Sequence, residues 1–348
     1  MKKRMTAGVA AFALAALGFA STPASAQVKT IDEASCGTAS AFCVGLVTDT
    51  GHVDDKSFNQ SAWEGTKAAT AAAGGFSKFV ETTDPKDYAS NIDLFAAKKY
   101  NVIVTVGFLM ADATAAAAKK YPEIKFIGVD QFNGGTDANY SGLIFPEDKA
   151  GFMAGYLAGY LTKSKKVGGV FGPDVVPPVK RYAEGYKNGI AYAAKERKIK
   201  IKTTLVYHSP DFSIAFNDPT WGATTAGQFL SQGYDVIFGA GGKTGNGALG
   251  KVAKKKNTFC IGVDTDQWNT VPEARPCLVT SAMKLIPQGV AKLIGAAKNG
   301  SFKGGNFLGN VGLAPYHKLG KKVPAYIQKK VAALSVKVLK GSVPTGVK

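Results

Sequence analysis

Histidine is scarce in this sequence, with only three in 348 residues. His52, His208 and His317 are far apart, and none has the H-x-H or H-x-x-x-H spacing that brings two imidazoles to one metal ion. A catalytic cysteine would also need a histidine partner. The sequence therefore favours neither a metal centre nor a cysteine protease, and we expect no cofactor.

Long apolar runs are also missing beyond the amino terminus. Lys2, Lys3 and Arg4 precede an apolar stretch over residues 7–20 that is too short to span a bilayer. Ala24-Ser-Ala26 then matches a small-residue cleavage site. We predict a signal peptide over residues 1–26, cleaved after Ala26, and a soluble exported protein. No cysteine stands at the cleavage site, so we expect no lipid anchor there.

Acidic residues are few, with 25 Asp and Glu against 43 Lys and Arg, for a net charge of +18. Much of the excess lies near the carboxyl terminus, in Lys318, Lys321, Lys322, Lys329, Lys330, Lys337, Lys340 and Lys348. A nucleic-acid site would need clustered arginines with exposed aromatics between them. These lysines are spread out, so we interpret them as a solvated face and expect no nucleic-acid partner.

The cysteines number only four, and an exported chain meets an oxidising compartment. Four cysteines allow three pairings. Cys36 is close to Cys43 in sequence, and Cys260 is close to Cys277. We predict the two local disulfides Cys36–Cys43 and Cys260–Cys277.

Short β-branched runs alternate with longer amphipathic stretches along the whole chain, which is typical of parallel βαβ units. There are too many units for one open sheet, so we predict an α/β protein of two doubly wound lobes with a central ligand cleft. The predicted first lobe comprises residues 43–146 plus 265–300. The predicted second lobe comprises residues 147–264 plus 301–348.

Polar residues recur where the predicted strands end. Asp49, Asp130 and Asp264 each follow a strand, the last two within Ile-Gly-Val-Asp repeats, and Lys284 follows another. Any one Asp could be only a helix cap. Because ligands of such sheets bind at the carboxyl ends of strands, the set together favours a site for a polyhydroxylated ligand.

Two glycine motifs fit nucleotide-binding signatures only in part. Gly242-Lys-Thr is similar to the end of a phosphate-binding loop, but Ile237 occupies the position where that motif requires glycine. The segment 245–250 fits G-x-G-x-x-G with an Asp about twenty residues later, as a dinucleotide site would. It begins well beyond the predicted strand end, however, so an exported NAD-dependent enzyme is only an alternative.

The most distinctive segment is Val47-Thr-Asp-Thr-Gly-His-Val-Asp-Asp-Lys-Ser-Phe-Asn-Gln-Ser-Ala-Trp-Glu-Gly65, in which Ser57 and Gln60 have capping-box spacing. It closely resembles the signature of the basic membrane protein family, also called the purine nucleoside receptor-like family. The resemblance continues in order to about Leu319, through Phe145-Pro-Glu-Asp-Lys, Phe216-Asn-Asp-Pro, Asp235-Val-Ile-Phe-Gly-Ala-Gly-Gly-Lys and Ile261-Gly-Val-Asp-Thr-Asp-Gln.

The resemblance implies a type I periplasmic binding fold and the role of substrate-binding protein for an ATP-driven importer. It also implies a nucleoside site in which Phe58 and Phe216 stack on the base. Asp49, Asp55 and Asn59 would then address the base edge, while Asp130, Gly241, Asp264 and Lys284 would hold the ribose. Phe108 and Trp268, beside these motifs, could change the contacts to the base.

Many members of that family carry a lipid-anchor cysteine after the signal, and this chain does not. That departure suggests a protein diffusing freely in the periplasm. We predict a monomeric, non-enzymatic receptor that delivers a nucleoside, with a purine nucleoside as the expected ligand, to the permease of an ABC transporter. The alternatives are a receptor for riboflavin or another aromatic or sugar ligand, and an exported nucleoside-processing enzyme.

Overall fold

The computed structural model describes residues 31–347, which form one compact unit. The predicted signal peptide and its cleavage site lie outside the described residues. The strands are β1 (Cys43–Thr48), β2 (Phe76–Val80), β3 (Val102–Val106), β4 (Lys125–Val129), β5 (Tyr140–Ile144), β6 (Lys166–Phe171), β7 (Lys202–Tyr207), β8 (Val236–Ala240), β9 (Phe259–Asp264), β10 (Leu278–Lys284), β11 (Gly305–Leu308) and β12 (Val311–Leu313).

The helices separate most of these strands, as the alternating pattern predicted. They are α1 (Phe58–Ala72), α2 (Tyr88–Ala97), α3 (Ala111–Lys120), α4 (Glu147–Leu161), α5 (Pro177–Glu196), α6 (Pro219–Ser231), α7 (Gly242–Ala253), the short α8 (Gln267–Thr270), α9 (Ile286–Lys298) and α10 (Ala325–Leu339). Within residues 31–347, no helix is both long and apolar enough to cross a membrane.

The strands form two six-stranded sheets, and each sheet with its helices is one lobe. The first sheet has the order β11-β5-β4-β3-β1-β2 and the second β12-β10-β9-β8-β6-β7. Every pairing is parallel except the one between β10 and β12. Two doubly wound sheets of this kind confirm the predicted fold class.

The chain crosses between the lobes at three places. The first lies at the predicted division between residues 146 and 147, and the other two differ from the prediction. The prediction assigned residues 265–300 to the first lobe, but β10 pairs with β9 in the second sheet. It assigned residues 301–348 to the second lobe, but β11 pairs with β5 in the first. The predicted division after residue 264 is therefore wrong, because the chain leaves the second lobe only after Lys284.

The three crossings lie side by side. They are Phe145–Pro146, Leu285 and the turn at residues 309–310. The amide of Leu285 donates to the carbonyl of Asn310, and the amide of Gly309 donates to that of Ile144, both at 2.8 Å. Crossings joined in this way form a narrow hinge between the lobes.

Helix α4 is the most buried helix of the second lobe, because glycines let its neighbour approach closely. Gly151 and Gly155 face α5, and a Cβ at either would overlap a backbone carbonyl of Tyr182 or Tyr186. The packing of α4 fixes Glu147, its first residue, beside the hinge.

Both predicted disulfides are confirmed: Cys36 is bonded to Cys43, and Cys260 to Cys277. The first ties the segment before β1 to that strand. The second, hereafter the second-lobe disulfide, ties β9 to the residue just before β10.

Candidate functional site

A cavity opens between the two lobes at the carboxyl ends of their parallel strands. It has an empty volume of about 750 Å³, including its opening to solvent. All nine residues that the sequence analysis proposed as ligand contacts line this one cavity: Asp49, Asp55, Phe58, Asn59, Asp130, Phe216, Gly241, Asp264 and Lys284.

Asp49 lies at the first-lobe wall, directly after β1. Its amide donates to the carbonyl of Val106, and its Oδ1 accepts from the amide of Gly51 at 3.2 Å. Gly107 has a φ of 110°, and a Cβ there would overlap the Asp49 carboxylate. Burial raises the pKa of Asp49 to about 7, opposed by the Gly51 amide. This carboxyl is therefore held rigidly and can change protonation near neutral pH.

Asp55 caps helix α1, a role that spacing had assigned to Ser57. The Asp55 carboxylate accepts from the amides of Ser57, Asn59 and Gln60 at 2.8–3.1 Å. Ser57 makes no capping bond through its side chain. Burial raises the pKa of Asp55 to about 7, although the three amides favour its charged form. The structure thus gives Asp55 a clear task in holding the start of α1 against the cavity.

Asn59 and Phe58 follow in the first turn of that helix. Asn59 is buried, and its Oδ1 has no hydrogen-bond partner among residues 31–347. A buried acceptor that is left unpaired costs about 1–3 kcal/mol. Since Asn59 lines the cavity, that atom is suited to accept from a donor on a ligand.

Aromatic rings line the cavity from both lobes. Phe58 and Phe108 belong to the first lobe and Phe216 to the second. Trp268 does not line the cavity and instead stacks on His317 with ring centroids 5.0 Å apart. Of the two extra aromatics that the sequence singled out, only Phe108 is therefore in position to contact a ligand.

Lys284, the last residue of β10, carries the buried positive charge of the site. Its ammonium pairs with Asp130, and it lies 3.3 Å from Oε1 of Glu147. Burial alone would lower the pKa of Lys284, but the carboxylates of Asp130, Glu147 and Asp264 raise it above its ordinary value. The lysine is therefore charged over the whole physiological range.

Five buried acids surround this lysine or face the same cavity: Asp49, Asp55, Asp130, Glu147 and Asp264, hereafter the carboxyl cluster. Burial raises the pKa of Glu147 to about 7 and that of Asp264 to about 6, with Lys284 opposing both shifts. Oδ1 of Asp130 has no hydrogen-bond partner in the described part of the chain. The cavity is consequently rich in acceptors and poor in positive charge.

Two residues that the sequence analysis did not propose contribute to this region. Tyr182 lines the cavity from α5, and its hydroxyl donates to the carbonyl of Ala282 at 3.1 Å. Glu147 does not line the cavity but contacts Lys284 from behind. Glu147 lies within the Phe145-Pro-Glu motif, which the sequence analysis noted. The motif alone does not predict that Glu147 contacts Lys284.

The lobes also touch across the mouth of the cavity. The Thr50 hydroxyl donates to the carbonyl of Phe212 at 2.6 Å, and Lys243 pairs with Asp54 at 2.7 Å. Deeper in, the Ser57 hydroxyl donates to Oδ2 of Asp264 at 2.9 Å. These contacts hold the two lobes in a closed arrangement.

The glycine motif at residues 245–250 lies inside helix α7 rather than in a loop at a strand end. Gly247 allows close helix packing, because a Cβ there would overlap the carbonyl of Pro219. A dinucleotide fingerprint needs its glycines in the turn after the strand. The residues of this region that line the cavity come before the motif: Ala240, Gly241, with a φ of 130°, Gly242 and Lys243.

The acidic side chains of the cavity could in principle ligate a metal ion. Over residues 31–347, no group of three or more His, Cys, Asp or Glu side chains is arranged to hold a metal ion. Three members of the carboxyl cluster, Asp130, Glu147 and Asp264, surround the Lys284 ammonium.

Comparison with known families gives a match over most of the chain. The model of the Bmp family, described as "ABC transporter substrate-binding protein PnrA-like", matches residues 42–312. The chain belongs to this family. The resemblance noted in the sequence is thereby confirmed, and the family is one of substrate-binding proteins.

Several relatives match this Bmp-family chain over most of its length. The "CD4+ T-cell-stimulating antigen" of Listeria monocytogenes is 33% identical over 282 residues, 76% of each chain. The "ABC transporter nucleoside-binding protein BmpA" of Lactococcus lactis is 29% identical over 283 residues, covering 76% of this chain and 77% of its own.

Solved structures agree on the fold. A solute-binding protein of an ABC transporter system from Aeropyrum pernix has a TM-score of 0.77 at 25% identity, covering 86% of this chain and 92% of its own. One from Conexibacter woesei has a TM-score of 0.65 at 21% identity, covering 87% and 98%. The architecture is that of type I periplasmic binding protein-like receptors.

Proposed function

We propose that this protein is the receptor of an ABC importer that closes on a nucleoside, a purine one in preference, and delivers it to the permease. The observation that carries the proposal is the composition of the cavity. Aromatic faces from both lobes and a set of buried acceptors line the same space. A nucleoside has a flat base for the rings and sugar hydroxyls for the acceptors.

The aromatic part of the site suits the base. Phe58 and Phe216 come from different lobes, so closing the hinge would bring them to one ligand. Stacking of a base on an aromatic side chain contributes roughly 1–3 kcal/mol per base. The unpaired Oδ1 of Asn59 would accept from an amino or N–H group at the base edge.

The charged part of the site suits the sugar and disfavours phosphate. Asp130 and Asp264 would accept from sugar hydroxyls, and Lys284 would donate to a sugar oxygen. A phosphorylated ligand would meet the carboxyl cluster with only Lys284 and Lys243 to offset it among the cavity-lining residues. We therefore expect selection of nucleosides over nucleotides.

The remaining parts of the proposal follow from this role. The signal peptide over residues 1–26 would be removed after Ala26, and the mature protein would act in the periplasm as a monomer. The permease would recognise the closed form, in which Thr50 and Asp54 contact the second lobe. No covalent step is required of the site.

Calorimetric titration tests the proposal directly. The protein, freed of any copurifying ligand by unfolding and refolding, is titrated with adenosine, guanosine, guanosine monophosphate, riboflavin and ribose. We expect tight binding of a purine nucleoside and much weaker binding of the monophosphate. Binding of riboflavin or ribose in place of the nucleosides would refute the ligand, and release of free base during incubation would indicate an enzyme.

A further inference from the structure

Glu147 is a buried acid that lies behind the cavity and touches the lysine that lines it. It is 1% exposed, and its Oε1 lies 3.3 Å from the Lys284 ammonium. Its Oε2 lies 3.5 Å from Nη1 of half-exposed Arg181 but has no hydrogen-bond partner among residues 31–347. Burying a charge is costly unless it is well paired. The pairing with Lys284 is therefore the principal contact of this side chain.

The two residues stand beside two of the three crossings. Glu147 is the first residue of α4, directly after Phe145–Pro146, and Lys284 is the last residue of β10, directly before Leu285. The other partner of Lys284 is Asp130, which follows β4 in the first lobe. The ammonium thus joins an acceptor of each lobe at the hinge end of the cavity.

An ammonium has three N–H donors. In Lys284, one N–H donates to Oδ2 of Asp130, and a second N–H points toward Oε1 of Glu147. The rings of Phe58, Phe145 and Tyr182 surround the same nitrogen at 5.1–5.7 Å. Asp130 Oδ1 stays without a donor. Without Glu147, the ammonium could turn to bridge both oxygens of Asp130 and so remove an acceptor from the cavity.

We propose that Glu147 is a positioning residue, which keeps the Lys284 ammonium on Oδ2 of Asp130 alone and so leaves Asp130 Oδ1 and one N–H of Lys284 free for the sugar hydroxyls of the ligand. Glu147 acts through Lys284 and does not touch the ligand. The inference rests on the proposed function, since it requires a ligand that has both a base and a sugar.

The test compares a nucleoside with its free base in calorimetric titrations of two variants. Glu147→Ala removes the acceptor, and we expect it to lose roughly tenfold to a hundredfold in nucleoside affinity, the equivalent of one hydrogen bond to a charged group. Affinity for the free base should stay at the wild-type value. Glu147→Gln keeps an oxygen acceptor without the charge, and should show a smaller loss in the same direction.

Glu196→Gln provides a matched control. Glu196 is also an acid of the second lobe, where it accepts from Tyr156 and Tyr160 and pairs with Lys330, away from the cavity. Its loss should leave the ratio of nucleoside to base affinity unchanged, even if thermal stability falls. Circular dichroism establishes that each variant is folded, and Glu147→Gln decides the question if Glu147→Ala is not.

Two outcomes overturn the inference while the proposed function survives. One is normal nucleoside and base binding in both variants. The other is an equal loss for both ligands, which would mean that Glu147 supports the lobe as a whole. A wild-type protein that binds no nucleoside would overturn the proposed function, and this inference with it.

Discussion

Replacing Asp264 with asparagine should weaken nucleoside binding without affecting the free base. Asp264 ends β9 with a φ of 62°, a conformation that asparagine tolerates and alanine does not adopt readily. Asp264→Asn therefore changes charge while preserving shape and backbone. At pH 8 the native side chain is ionised, because its pKa is raised by burial only to about 6.

The magnitude follows from the change in hydrogen-bond strength. A bond to a charged acceptor contributes about 1.5–3 kcal/mol and a neutral one about 0.5–1.5 kcal/mol. The difference of about 1–1.5 kcal/mol corresponds to roughly fivefold to tenfold in affinity for each sugar hydroxyl that Asp264 accepts from. Calorimetric titration at pH 8 with guanosine and with guanine measures both affinities.

Ser57→Ala is the control for this experiment. It removes the interlobe bond to Asp264 Oδ2, which lies 2.9 Å from the Ser57 hydroxyl, and leaves the carboxylate available. If that bond only supports closure, its loss should weaken nucleoside and base by the same factor. An equal loss for both ligands in Asp264→Asn itself would refute the assignment of Asp264 to the sugar.

Three further predictions concern the rings, the buried acids and the cross-link. Phe58→Ala or Phe216→Ala should weaken nucleoside binding by roughly 1–3 kcal/mol in calorimetry, with little change in melting temperature. Unchanged affinity together with a much lower melting temperature would mean that the rings serve only the core. Because burial raises the pKa of Asp49 and Asp55 to about 7, the folded protein binds protons between about pH 7 and pH 4 that the unfolded chain does not. Urea unfolding of ligand-free protein should therefore show stability rising as the pH is lowered from about 8 to about 5, and a steady fall would contradict the shifts. Replacing both cysteines of the second-lobe disulfide with serine should lower the free energy of unfolding, measured in urea, by about 3 kcal/mol, as expected for opening a loop of this length. Ligand affinity should be preserved, and a loss of affinity would mean that the cross-link also shapes the cavity.

The position of the cavity was predictable because parallel sheets impose it. Asp49 and Asp130 directly follow a strand, and Asp264 and Lys284 are the last residues of one. The carboxyl ends of parallel strands meet at one edge of a sheet. Sequence order therefore sufficed to group them. The Ile-Gly-Val-Asp repeat also marked the same structural position in both lobes, since it closes β4 in one and β9 in the other.

What sequence could not supply were the contacts between segments far apart in the chain. The Ser57 and Gln60 spacing satisfies a capping box, yet Asp55 makes the capping bonds, because the Ser57 hydroxyl is bound to Asp264 more than 200 residues away. The role of Glu147 likewise depends on its contact with Lys284, which is far away in the sequence. Two of the three crossings were misplaced for the same reason, since only strand pairing shows to which sheet β10 and β11 belong.

Helices α7 and α10 illustrate a second limit. The glycines at residues 245–250 fit a loop motif, but they lie in helix α7, where Gly247 admits the close approach of Pro219. The lysines of the carboxyl-terminal region were interpreted as a solvated face. That interpretation did not include the buried stripe of α10, which consists of Ile327, Val331, Leu334 and Val338. In both cases packing against another element decided the structure of the segment.

The most direct test of the account is the identity of the molecule that the native cavity holds. The protein is purified from its own cells under native conditions, denatured, and the released small molecules are identified by mass spectrometry. The account predicts a purine nucleoside in an amount that falls when Phe58 and Phe216 are both replaced by alanine. Release of a flavin, a free sugar or a nucleotide from the wild-type protein, with no nucleoside, would contradict it.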